Sequence, residues 1–280
     1  MADNQWWLDP TSAWQLKLAR AQYHIDALAA EAEAFVSAGT YSAVAEPGTQ
    51  PGETVYRLQM SKPIPLHFST VIGDALHNLR SALDCAACEL ARRHVGRPLS
   101  EEEERACAFP IDGDPAKIQK FLNEKPRLAL YGPGDRQRVG AVQPGWLYDH
   151  AVSLGVGHAG PTREEEVAHD DLTLLNRLSN VDKHRRVHLV TSWPDLVYWG
   201  SNAAVQQRWT WGRPPFEDGA VLGTLYQDPG HPEPAPQTLH HEMQLRAFDP
   251  PEAGGNDIVT LLRSMRREVA GRVIPGVFRP

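Results

Sequence analysis

Cysteine is nearly missing from this 280-residue chain, which has only Cys85, Cys88 and Cys107. An odd trio over this length argues against a disulfide framework. No apolar run approaches the roughly 18 residues that a membrane span requires, so no membrane partner is expected. The first ten residues, MADNQWWLDP, lack the basic start and apolar stretch of a secretory signal, which predicts a cytoplasmic location. Lysine is scarce, at six of the 28 basic residues, a bias of the kind that genomic base composition produces. The formal net charge of −7 gives no electrostatic case for wholesale nucleic-acid binding, although it leaves room for a local basic patch. Also missing are GxGxxG after a strand, GxxxxGKS/T, HExxH and GxSxG. Nucleotide-dependent transfer, zincin proteolysis and α/β-hydrolase chemistry therefore lack support.

What is present reads as a single domain of the α+β class. Hydrophobic content of 41% is that of an ordinary globular chain long enough to bury a sizeable core. Four long helices are expected, at about 10–38, 68–94, 170–187 and 257–273. Asp9 and Pro10 suit the start of the first, and Trp14, Leu18, Ala21, Ile25 and Leu28 recur along it at helical spacing. Gly96 closes the second. Strands are expected at 40–45 and 54–60, followed by an antiparallel β-region over about 187–248. Ser100 followed by Glu101–Glu104 signals a capping box, and a short helix is expected around 115–123. Residues 126–169, rich in Gly and Pro, read as an irregular surface excursion holding one short helix at about 135–142. The division expected is a helical core over 1–187 and a β-rich part over 188–280 that ends in a helix.

The most distinctive stretch is Gly73 to Cys88, GDALHNLRSALDCAAC. On a helical wheel Phe68, Val71, Ile72, Ala75, Leu76, Leu79, Ala82, Leu83, Ala86 and Leu90 share one apolar face. The other face carries Asp74, His77, Asn78, Arg80, Ser81, Asp84, Cys85 and Cys88, with none of the Lys, Glu or Gln that usually meets water. A second cluster, NRLSNVDKHR at 176–185, places Arg177, Asn180 and His184 within about 60° of one another. Asp182 falls instead among apolar residues, where a carboxylate needs a partner. Two helices that each carry an apolar seam and a polar stripe pack most economically together. That packing would gather Arg80, Asp84, His77, Asn180 and His184 into one site, with Asp182 and Arg185 beside it.

The order GDxLHNLRSALD, FPI, QP and LxxLxNxDKHR, here at 73–84, 109–111, 143–144 and 172–185, resembles a widespread family of uncharacterised bacterial and phage proteins. In that family the first element typically reads LRSALDH. Its Arg and His are similar in spacing to the R-x4-6-H motif of the HEPN ribonuclease superfamily, all-helical proteins that act as dimers on RNA. The resemblance implies an RNA partner, a homodimer and a role in bacterial or phage conflict. It also implies metal-independent RNA cleavage in which a His moves the proton and an Arg steadies the phosphate. Carried over, Arg80 matches the Arg, but Cys85 stands where the His should be, and a thiol replaces imidazole poorly near neutrality. His184 or His77 would then have to move the proton. Arg177 and His184 also fit the motif.

The competing expectation is a non-catalytic binding or interaction module whose polar helix face is a structural hydrogen-bond network. No cofactor is expected. A metal is not expected either, because Asp74-x2-His77 lacks further ligands and Cys85-x2-Cys88 lacks a second pair. His240 and His241 read as surface residues. The basic face of the last helix (Arg263, Arg266, Arg267, Arg272) is the best candidate for phosphate contacts.

Overall fold

The computed structural model describes residues 12–155, 160–184, 189–192, 208–211, 217–227, 244–247, 251–253 and 257–278. Helix α1 (Ala13–Ser37) buries Trp14, Leu18, Ala21, Ile25 and Leu28, the residues that recur at helical spacing. It begins at Ala13 rather than near residue 10: the carbonyl of Ser12 accepts the first helical N–H groups, from Gln15 and Leu16. Strands β1 (Tyr41–Pro47) and β2 (Glu53–Met60) form an antiparallel hairpin. Helix α2 (His67–Val95) packs along α1 and ends at Gly96, whose φ of 71° lets its N–H reach the carbonyl of Arg92.

Residues 126–169 are more ordered than their composition suggests. After α3 (Glu101–Ala106), which starts on a Ser100–Glu103 capping box, comes α4 (Pro115–Asn123). Four short helices then follow: α5 (Arg127–Leu130), α6 (Pro133–Ala141), α7 (Trp146–Ser153) and α8 (Arg163–His169). Leu130, Tyr131, Val139 and Val142 anchor α5 and α6 in the main core, so that part of the expected surface excursion is corrected to a packed layer, while α8 buries no residue. Helix α6 is the short helix expected at about 135–142, while pieces as short as α5, α7 and α8 leave no periodic trace in sequence.

Helix α9 (Asp171–His184) contributes Leu172, Leu174, Leu175 and Leu178 to that core, where they join Leu79 and Leu83 of α2. Strands β3 (Leu189–Ser192), β4 (Arg208–Trp211), β5 (Val221–Tyr226) and β6 (Gln244–Ala247) follow. The order β1-β2-β5-β4 joins the early hairpin to the later strands in one antiparallel sheet, and β3 pairs with β6 separately. Residues 193–207 of the expected β-region, and His240–His241, lie outside the described residues. Helix α10 (Ile258–Glu268) continues through a π turn (Val269–Val273) into α11 (Ile274–Phe278). Phe278 there stacks on Trp14 of α1, with 6.4 Å between ring centroids. The molecule is α+β, and among the described residues no helix is long and apolar enough to cross a membrane.

Candidate functional site

The polar face of α2 divides into two halves with different partners. In the first half, the start of α2 meets the end of α9. A Cβ placed on Gly73 would stand 2.7 Å from Cγ of Asp182, so the missing side chain is what seats that carboxyl. Burial, and then the charge of Asp74, hold Asp182 above the usual carboxylate range, while His77 pulls it back. Asp74 also lies 4.0 Å from Nδ1 of His24 on α1. Burial pushes His24 down; Asp74 opposes this and Arg20 adds to it. His77 is exposed, with Nε2 3.4 Å from the Ser81 hydroxyl. Asn78 is buried and donates to the carbonyl of Asp74 at 2.8 Å, a bond along its own helix.

In the second half, Arg80 and Asp84 grip one residue of a neighbouring loop. The Phe109 N–H donates to Asp84 Oδ1 at 2.9 Å, and Nη2 of Arg80 donates to the Phe109 carbonyl. The two side chains also face each other at 3.4 Å, one turn apart. Both polar groups of a buried residue are thereby satisfied, which a loop crossing the core requires.

This clasp continues along the loop. The Asp112 N–H donates to Oε1 of buried Gln143 at 3.2 Å, and Gln143 Nε2 donates to the Val139 carbonyl at 3.0 Å. The Gly113 carbonyl accepts from Arg163 at 3.0 Å, and Asp149 holds Arg163 through two bonds of 2.7 and 2.8 Å. Val167 packs where a Gly113 side chain would be. Asp112, Gly113, Pro115 and Arg163 border both of two clefts, of about 420 and 450 Å³. The first opens toward α4, α6 and α7, and the second toward α8 and Asn176 and Arg177 of α9.

The single composite site expected from the two stripes is therefore corrected. Arg80 and Asp84 bond to Phe109, and no hydrogen bond or ion pair joins them to a described residue of α9. His77 and Asp182 share the Gly73 end. Asn180 and His184 are exposed and their side chains make no hydrogen bond to a described residue, and Arg185 lies outside the described residues. Arg177 pairs with Glu252 at 2.6 Å. A helical wheel reports the angle of a side chain but not what stands opposite it. Here the partner of the second half is backbone.

Sequence reasoning missed a half-buried carboxylate cluster. Burial raises Asp170, Asp171 and Glu268 above the ordinary range. Asp170 accepts from the Leu172 N–H at 2.9 Å, Asp171 from the Ser264 hydroxyl at 2.7 Å, and Glu268 pairs with Arg272. The available signal was two adjacent acids ahead of α9, which are easily taken for caps. The cluster engages Arg272, while Arg263 stands 4.0 Å from Asp26, so the basic face of the last helix is partly neutralised. Among the described residues, no three His, Cys, Asp or Glu side chains are grouped so as to hold a metal ion. No family model, curated protein or solved structure matches the chain.

Proposed function

We propose that this protein is a binding module, with single-stranded RNA as the partner class, and that it holds that partner without cutting it. The observation that carries this reading is the position of Arg80. Its guanidinium, on a side chain 18% exposed, grips the Phe109 carbonyl beside Asp84 instead of standing free to meet a phosphate. Cys85, where a proton-carrying His would stand, has its thiol pushed up by burial first and also by Asp84, so it supplies little thiolate near neutrality. RNA enters through the resemblance to HEPN proteins and through the two clefts that share Asp112, Gly113 and Arg163. The test is a gel-shift and cleavage assay on mixed RNA in excess EDTA. Retarded but intact RNA is the expected result.

One observation favours a second reading, RNA cleavage at the Gly73 end. There a carboxyl raised by burial, Asp182, lies near an exposed imidazole, His77, and such a pair can divide acid and base roles. Cleavage by the parent that disappears in both His77→Ala and Asp182→Asn would establish this reading and remove the first.

A further inference from the structure

We propose that the cleft between α4, α6 and α7 binds a nucleotide unit, a flat base with its attached phosphate. This inference rests on the binding reading and names the ligand of one cleft. The lining has three parts that match such a unit. Gln119 and Asn123, one turn apart on α4, and Gln137 on α6 present exposed side-chain amides, and none is hydrogen-bonded to a described residue. Each amide sets a donor beside an acceptor in one plane, the pattern that a base edge presents in complement. Trp146, its ring stacked on His150 at 4.8 Å and 9°, borders the cleft as the surface on which a base can lie.

Arg136 supplies the third part. Its Nη1 donates to the carbonyls of Tyr131 at 2.7 Å and Leu128 at 3.2 Å, which fixes the guanidinium in place. No described carboxylate pairs with it, and its remaining N–H groups suit a phosphate. The other charges on the lining are already engaged: Arg163 with Asp149 at 2.7 Å, and Asp112 with Lys117 at 3.6 Å. The cleft therefore offers neutral amides and one uncommitted cation, a combination that selects an anion carrying a hydrogen-bonding ring. Its volume of about 420 Å³ falls within the range of small-ligand sites.

The same unit occurs in a free nucleotide and in single-stranded RNA, and calorimetric titration of the full chain separates these sources. The ligands are the four nucleoside 5′-monophosphates, ribose 5-phosphate and a short mixed-sequence RNA. The proteins are the parent and the Asn123→Ala/Gln137→Ala double variant, whose changes fall on exposed positions and should leave Tm unchanged. At least one nucleotide or the RNA should bind saturably, ribose 5-phosphate should bind at least about tenfold more weakly, and the double variant should lose at least about tenfold. Saturation by monophosphates identifies the free nucleotide, and saturation by RNA alone identifies the strand. Absence of saturable binding at millimolar ligand overturns the inference. So does parental affinity in the double variant; if that variant still binds RNA, the strand lies elsewhere and the binding reading survives alone.

Discussion

Asp182 of α9 sets its carboxyl on Gly73 of α2, in the space a single methyl group would fill. A glycine inside a helix costs about 1 kcal/mol relative to alanine, and here the close approach of a second helix explains it. This contact ties the polar face of α2 to the end of α9.

Gly73→Ala should therefore destabilise the fold by about 1–3 kcal/mol, as overpacking does, against the gain alanine normally brings to a helix. Asp182→Ala in the same chain should recover most of the loss, because it removes the colliding atoms. Urea unfolding of the two single variants and the double variant measures the coupling. Equal additive losses would mean that the two positions do not touch.

The clasp on Phe109 makes a different demand. Asp84→Ala leaves a main-chain N–H in the core without its acceptor and should cost about 1–3 kcal/mol. Asp84→Asn keeps an acceptor oxygen and should cost less. If the two variants have the same midpoint in denaturant, Asp84 is not the acceptor that matters.

The pH dependence of stability follows from the raised carboxyl of Asp182, whose first cause is burial and second the charge of Asp74. Between its unfolded and folded values the folded chain holds the extra proton, so stability falls as pH rises through that window. At neutral pH the full penalty is in force. Asp182→Asn is neutral and of the same shape, so it should match or exceed the parent in Tm at pH 7, with the two converging as pH falls toward about 4. A variant that is less stable than its parent at pH 7, and not at acid pH, would reverse the sign and sink the idea.

The thiols of Cys85 and Cys88 should be slow to react. Burial lifts Cys85, and the hydrogen bond to Cys107 followed by burial lifts Cys88. With little thiolate available at neutral pH, iodoacetamide should label neither in the native chain and both after denaturation. Rapid native labelling at Cys85, followed by mass spectrometry, would show a thiol far more open than this.

Features with a period were legible in the sequence. The apolar seam of α2, its close at Gly96 and the Ser100 cap are found as spacing and end signals predict. The polar residues of α2 were recognisable as unusual, but their roles were not. Arg80 and Asp84 bond to the main chain of Phe109, and a backbone partner leaves no side-chain signature. The seat of Asp182 could have been inferred: a glycine within one helix and a carboxylate in the apolar stripe of another are complementary anomalies. Helix α6 was legible at about 135–142, but α5, α7 and α8 could not be read, because four to eight residues are too few to establish a period.

The π turn at Val269–Val273 bears on how chains of this kind are aligned. Such a turn holds one more residue than an α-helical path, and it lets Val269, Val273, Ile274, Val277 and Phe278 all reach the core. It can be regarded as an insertion accommodated within a helix. A homologue shorter by one residue here would run as plain α-helix, and its last turn would keep the same face toward the core. The gap in such an alignment belongs inside the helix, not in a loop, and the residue aligned with Phe278 would still face Trp14.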